Sequence, residues 1–261
     1  MATTIIATSD QHADSAPPAV QTAQLEFFRS LIDRTDVRRV VSVGDLWSMT
    51  LDSSLDTLIN NPHCARVRDV LRQLSETRPV ILVDGNHDPY STMPPAELKR
   101  FTDWMAAPNI VYPGPGYNKQ VAGLPTVYYM HGMQFDPSSD MWKALTGRLR
   151  DLVGAERAEA IAKWVVGIWL KRKSGPTPRM VRDHDPDAYA QLVAYMHEQE
   201  WKWTLDKLNA YEVCVMGHTH FDECRHKELS NKTYVNCGAF DGFGNTYVEI
   251  TGDGARLAEW Q

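Results

Sequence analysis

Six times along this chain a short run of β-branched, aliphatic and aromatic residues stops at a turn that carries Asp, Asn, His or Gly. Thr3–Ala7 runs into Ser9-Asp10-Gln11-His12, Val37–Val43 into Gly44-Asp45, and Val80–Val83 into Asp84-Gly85-Asn86-His87-Asp88. Val127–Met130 runs into His131-Gly132, Val213–Met216 into Gly217-His218-Thr219-His220, and Lys232–Val235 into Asn236-Cys237-Gly238. Apolar runs of this length, without clear alternation, suit strands buried on both faces. Between the early runs, Gln21–Asp33 sets Leu25, Phe28, Leu31 and Ile32 on one helical face, and Cys64–Glu76 does the same with Val67, Val70, Leu71 and Leu74. Strands alternating with amphipathic helices imply an α/β layered fold. Thr246–Thr251 and Ala255–Trp260, around Gly252-Asp253-Gly254, read as a C-terminal hairpin.

Residues 138–210 interrupt this alternation. Trp142, Leu145, Leu149 and Leu152 form one helical stripe; Ala158, Ile161, Ala162, Val165 and Trp169 form a second; Tyr189, Leu192, Val193 and Met196 begin a third. The polar, Pro-containing stretch Lys171–Pro186 lies between them. The segment reads as a helical cap inserted between two core strands; the plainer alternative is helices that simply cover the sheet. The expected organisation is a core of residues 1–137 and 211–261 with a cap at 138–210.

A net charge of −6 argues against a globally basic nucleic-acid binder. The N-terminus lacks the charged and apolar regions of a signal peptide, and no apolar stretch approaches the roughly 20 residues that span a bilayer. Cys64, Cys214, Cys224 and Cys237 show no CxxC spacing, so neither a disulfide framework nor a zinc knuckle is expected, and a cytoplasmic location fits.

Catalytic groups in open α/β sheets sit at the carboxyl ends of strands. Five of the nine histidines stand at these ends, together with Asp10, Asp45 and Asn86. Imidazole with carboxylate and no thiolate points to divalent Mn, Fe, Zn or Ni rather than a structural zinc. Two ions about 3.5–4 Å apart need a bridging ligand, and a carboxylate serves. Asp45 is the natural bridge.

Asp10-x-His12, Gly44-Asp45, Gly85-Asn86-His87-Asp88, His131-Gly132 and Gly217-His218-x-His220 stand in the order of the calcineurin-like metallophosphoesterase superfamily, which the chain resembles outside the insertion. The resemblance implies a four-layer αββα sandwich with a helical cap insertion and two divalent metal ions, Mn2+ in the first instance. Asp10, His12 and His220 would hold one ion, Asn86, His131 and His218 the other, and Asp45 would bridge them. His87 would hydrogen-bond or protonate the leaving side rather than bind metal. Asp88 would either orient His87 or serve as a turn carboxylate capping the next helix. Gly44, Gly85 and Gly217 read as permissive backbone in tight turns.

Gly44-Asp45-Leu46-Trp47 and Asn86-His87-Asp88 differ from the GDxxDRG and GNHE of phosphoprotein phosphatases. Ser9-Asp10-Gln11-His12, Tyr129-Met130-His131-Gly132, Gly217-His218-Thr219-His220 and Thr233–Gly238 are similar to the UDP-2,3-diacylglucosamine pyrophosphatase branch. His87 stands where that branch has Arg, and Met133 where it has Asp. Ten basic and four acidic residues fall between Ser139 and Arg182, a local charge of +6. This basic cap, with Lys171, Arg172 and Lys173 as substrate-binding candidates, could rest on an anionic lipid or membrane surface; it could equally be a solvated helix face. The expected activity is cleavage of a phosphodiester or pyrophosphate, with a UDP-lipid as the candidate substrate. A nuclease or nucleotide phosphodiesterase with the same ions is the alternative.

Overall fold

The computed structural model describes residues 3–49, 54–133, 186–220, 222–226, 232–240 and 245–260. The chain divides into two compact units, Met1–Gly132 with Trp201–Gln261, and Met133–Glu200. The first carries two sheets. β1 (Thr4–Thr8), β2 (Val37–Val43), β3 (Val80–Val83) and β4 (Ile110–Val111) pair in parallel; β9 (Thr246–Thr251) joins β1 antiparallel, and β10 (Gly254–Glu259) closes the order β10-β9-β1-β2-β3-β4. The second sheet is β5 (Val127–Tyr129), β6 (Val213–Met216), β8 (Thr233–Cys237) and β7 (Asp222–His226), in the order β5-β6-β8-β7. Only β7 runs antiparallel in it.

The strand period of two explains the unbroken apolar runs. Ile5, Ala7, Val41, Val43, Ile81 and Val83 join Val127, Tyr129, Val213, Val215 and Val235 in the core between the sheets. Their neighbours Ile6, Val40, Val80 and Leu82 join Phe28, Val67, Leu71 and Phe101 of the helices in a second core. Helices α1 (Pro18–Ser30), α3 (Pro62–Thr77) and α4 (Pro95–Met105) supply that outer layer. On the other side, the last turns of α5 (Pro186–Lys207) set Trp201 against Tyr234 and Trp203 against Tyr128 with tilted rings. The result is the expected four-layer αββα sandwich.

Several elements depart from expectation. α1 starts three residues early because Pro18 occupies the first helical position, where its missing N–H costs nothing. α3 starts at Pro62, with Asn61 capping it through bonds from the His63 and Cys64 N–H groups at 2.8 and 3.3 Å. The short helix α2 (Leu55–Asn60), α4, β4 and β7 are additional. β7 reads Asp-Glu-Cys-Arg-His, a charged sequence suited to the sheet edge it occupies. Of the three stripes in the insertion, the third falls on α5; Trp142–Leu152, Ala158–Trp169 and Lys171–Lys173 lie outside the described residues.

His63 lies buried in the first turn of α3, where burial first, then the Arg66 charge, push its pKa down to about 4. The ordinary imidazole value is about 6.5. Between those values the unfolded chain binds a proton that the folded chain refuses. His63 therefore supports the fold fully above pH 6.5, and that support is lost as pH falls towards 4. Urea unfolding of wild type and His63→Phe from pH 7.5 to 4.5 is expected to show the variant gaining relative stability as pH falls; parallel curves would contradict this.

Candidate metal centre

The carboxyl ends of β1, β2, β3, β5 and β6 converge. Their loops are laced together by backbone bonds from Asp10 N to Gly44 O, His12 N to Asp45 O, and Gly217 N to His131 O, at 3.0–3.2 Å. At the centre, Asp45 Oδ2 lies 3.1 Å from His131 Nε2, 3.9 Å from His12 Nε2 and 4.0 Å from His87 Nε2. Its Oδ1 accepts the His87 backbone N–H at 2.9 Å. Asp10 Oδ2 accepts the Ser9 hydroxyl at 2.5 Å and the His218 N–H at 2.7 Å. Asp10 Oδ1 is buried, accepts no hydrogen bond from the described residues, and lies 3.5 Å from His220 Nε2 and 3.9 Å from His131 Nε2.

The donor atoms separate into Asp10, His12 and His220 on one side and Asp45, His131 and His218 on the other, each set within 4.8 Å. Asn86 Oδ1 lies 3.1 Å from His131 Nε2 and so belongs with the second set. A further overlapping set joins His87 to His12 and Asp45, so distance alone does not separate His87 from the ligand candidates. The outer nitrogens are also engaged. His131 Nδ1 meets the Val43 carbonyl at 2.8 Å, and His12 Nδ1 meets Ser48 Oγ at 2.9 Å. Such outer partners turn the inner nitrogens towards the centre. Ser9 and Ser48 were not singled out from sequence. Ser9 adjoins Asp10, but nothing in the sequence marks Ser48.

Asp10 and Asp45 are 0% and 1% exposed. Among the described residues no Lys or Arg pairs with either; their ion-pair partners are imidazoles. Burial would raise the Asp45 pKa, but His131, His87 and His12 hold it well below the usual carboxylate range. Burial works against charge on His131, yet Asp45 and Asp10 pull a proton onto it and raise its pKa. Buried acids concentrated in this way demand positive charge. The open Asp10 oxygen, the shared Asp45 oxygen and the inward imidazole nitrogens fit divalent cations.

The backbone is bent to this purpose. Asp10, His12, Asp45, His218 and His220 have φ between +44° and +73°; only Ala106 and Asn245 share this left-handed region among the described non-glycine residues. Such conformations cost energy and cluster at functional sites. Gly44 is left-handed at +84°, as the tight turn suggested. Gly85 and Gly217 are not. They are required by close approach instead: a Cβ would stand 2.0 Å from Asp45 Oδ1 at Gly85 and 1.8 Å from Ser9 Oγ at Gly217.

Asp88 does not orient His87, and it does not act as a simple helix cap. Its Oδ1 accepts the Asp45 and Gly85 N–H groups at 2.9 and 3.0 Å. Its Oδ2 accepts the Leu46 and Trp47 N–H groups and the Tyr90 hydroxyl at 2.9, 3.3 and 2.8 Å. Burial and the Asp45 charge push its pKa up. The five donors nevertheless fill both oxygens, so the group acts as a carboxylate tying the β2 and β3 loops together. The substrate-binding candidates Lys171, Arg172 and Lys173 lie outside the described residues.

A family model described as calcineurin-like phosphoesterase matches residues 3–222. No curated protein matches the chain. Among solved structures, a predicted phosphoesterase of Streptococcus pneumoniae is 13% identical, with 99% of this chain and 98% of that chain covered and a TM-score of 0.40. A single mutant of Vps29 from Entamoeba histolytica is 14% identical over 98% and 97%, with a TM-score of 0.43. A Thermus thermophilus protein is 10% identical over 100% of both chains, with a TM-score of 0.46.

Asp88→Asn sets an amide NH2 against backbone donors and removes the buried charge they serve. It is expected to cost about 3 kcal/mol or more of stability in denaturant unfolding. A loss below about 0.5 kcal/mol, the range of an ordinary surface change, would contradict the clamp.

Proposed function

Because the chain belongs to the calcineurin-like phosphoesterase family, we propose that it is a dinuclear metal-dependent phosphohydrolase acting on a phosphodiester or pyrophosphate. The observation that carries this reading is the central Asp45 oxygen, within 4.0 Å of three imidazoles, one of which, His131, also lies 3.9 Å from the open Asp10 oxygen. In this reading Asp10, His12 and His220 hold one divalent ion, Asn86, His131 and His218 the other, and Asp45 is shared; manganese is the metal expected. Bound there, such ions supply Lewis acidity towards phosphate oxygens and lower the pKa of water.

The chain's own groups arrange the rest. Ser9 and the His218 N–H fix one oxygen of Asp10 and so direct the other inward. The bond from His87 N to Asp45 Oδ1 fixes the rotation of the Asp45 carboxylate. The His87 imidazole lies edge-on to His12 with ring centres 4.8 Å apart and is 17% exposed at its side chain. There it can meet a bound phosphoester and give a proton to a departing oxygen.

For the substrate we infer a pyrophosphate-linked UDP-lipid of the UDP-2,3-diacylglucosamine type. The support is sequence similarity and the basic cap, with Lys171, Arg172 and Lys173 taking its anionic portion and the cap meeting the membrane surface. No helix among the described residues is long and apolar enough to cross a membrane, so contact of this kind would be peripheral.

A panel of phosphomonoester, bis(p-nitrophenyl) phosphate, UDP-diacylglucosamine and single-stranded DNA, each with manganese, tests the reading. Diester and pyrophosphate cleavage is expected, abolished by chelation, Asp45→Asn or His218→Ala. Metal-loaded protein inert towards every phosphoester would overturn it, and preference for DNA would move the substrate to nucleic acid. His87→Ala is expected to keep its metal and lose about 100-fold in turnover; an emptied site would instead make His87 a ligand.

A further inference from the structure

Gln24, on α1, is wholly buried. Its Nε2 lies 2.5 Å from the Gln11 carbonyl oxygen and 2.6 Å from the Phe240 carbonyl oxygen. Both partners are main-chain oxygens that can only accept, so the atom between them is the NH2, and its two protons go one to each. Gln24 Oε1 is buried with no partner among the described residues. A half-satisfied amide is a costly way to fill a core; what it brings to this position is a pair of donors. Phe27, three residues along the helix, sets its ring 4.9 Å from that of Phe240 and so supports the second acceptor. The Phe240 N–H in turn reaches the Ser9 carbonyl at 3.3 Å.

The Gln11 carbonyl belongs to the peptide unit whose N–H is that of His12, and this N–H donates to the Asp45 carbonyl at 3.0 Å. The planar unit is therefore held at both ends. Its orientation sets φ of His12, which is +44°, in the left-handed region that a histidine enters at a cost; Asp10, on the other side of Gln11, is at +53°. We propose that Gln24 is a positioning residue of the metal centre: its NH2 pins the Gln11–His12 peptide plane from α1 and so keeps His12 in the left-handed conformation that aims its imidazole at Asp45. Gln24 acts through the main chain between two candidate ligands, Asp10 and His12, on the same half of the centre. The consequence for metal binding rests on the dinuclear reading above; the pinned peptide does not.

Hydrogen exchange by NMR and calorimetry on the full chain test this. In wild type without added metal, which needs no substitution, both Gln24 side-chain amide protons are expected to exchange slowly with solvent; exchange at the rate of an exposed glutamine would overturn the proposal. Gln24→Met keeps the length of the side chain and removes both donors. Its His12 main-chain amide is expected to exchange about tenfold faster relative to the β2 amides than in wild type; an unchanged ratio would overturn the proposal. In calorimetric titration with manganese, Gln24→Met is expected to weaken about tenfold the equivalent that His12→Gln abolishes and to spare the other. Both equivalents bound as in wild type, or both weakened alike, would overturn the positioning role. Wild type that takes up no manganese would overturn the dinuclear reading instead, and amide exchange would still decide whether Gln24 pins the peptide.

Discussion

Two carboxylates withdrawn from water, with no lysine or arginine among the described residues to balance them, are the constraint on which the rest of this molecule depends. Asp10 and Asp45 follow adjacent parallel strands and sit wholly inside the protein. An isolated buried charge is costly enough that a protein neutralises it, pairs it or binds a metal with it. Here five imidazoles and an Asn carbonyl are gathered around the pair, and the strongest structural resources nearby are spent on holding that gathering still. Asp88 commits its carboxylate to the β2 loop that holds Asp45 and to its own β3 loop. Ser9 Oγ sits between Asp10 Oδ2, at 2.5 Å, and the Val43 carbonyl at the end of β2, at 2.9 Å, with one proton to offer them.

The sandwich explains how residues over 200 positions apart can meet. Parallel strands all end on the same side, so each loop begins where its neighbour's begins. Two such sheets packed through the Val41, Val43, Ile81, Val83, Val213 and Val215 side chains bring two rows of loops to one place. Left-handed backbone at five of the candidate ligands then turns their side chains inward. The strain is tolerated because the strands beneath are buried on both faces and their loops are cross-tied.

Much of this was legible in the sequence, because the signals were local. Short apolar runs ending in Gly, Asp or His gave the strands, and their alternation with amphipathic helices gave the layers. The motif order pointed to one site before any distance was known. What could not be read were relations across the chain. β7 is a strand only because β8 offers an edge to its charged residues. Gly85 and Gly217 look like turn glycines but are small because another loop's side chain occupies the space. Asp88 neighbours His87 in sequence, yet its bonds go to Asp45, Leu46, Trp47, Gly85 and Tyr90. Ser48 carries no motif at all; only the fold puts it against His12.

Anomalous X-ray diffraction from crystals grown with manganese tests the central claim most directly, because it locates the positive charge that the buried carboxylates require. Two peaks about 3.5–4 Å apart are expected, on either side of the Asp45 carboxylate, with Asp10 reaching one of them. Asp10 and Asp45 found ionised in that crystal with no cation between the surrounding imidazoles would contradict it.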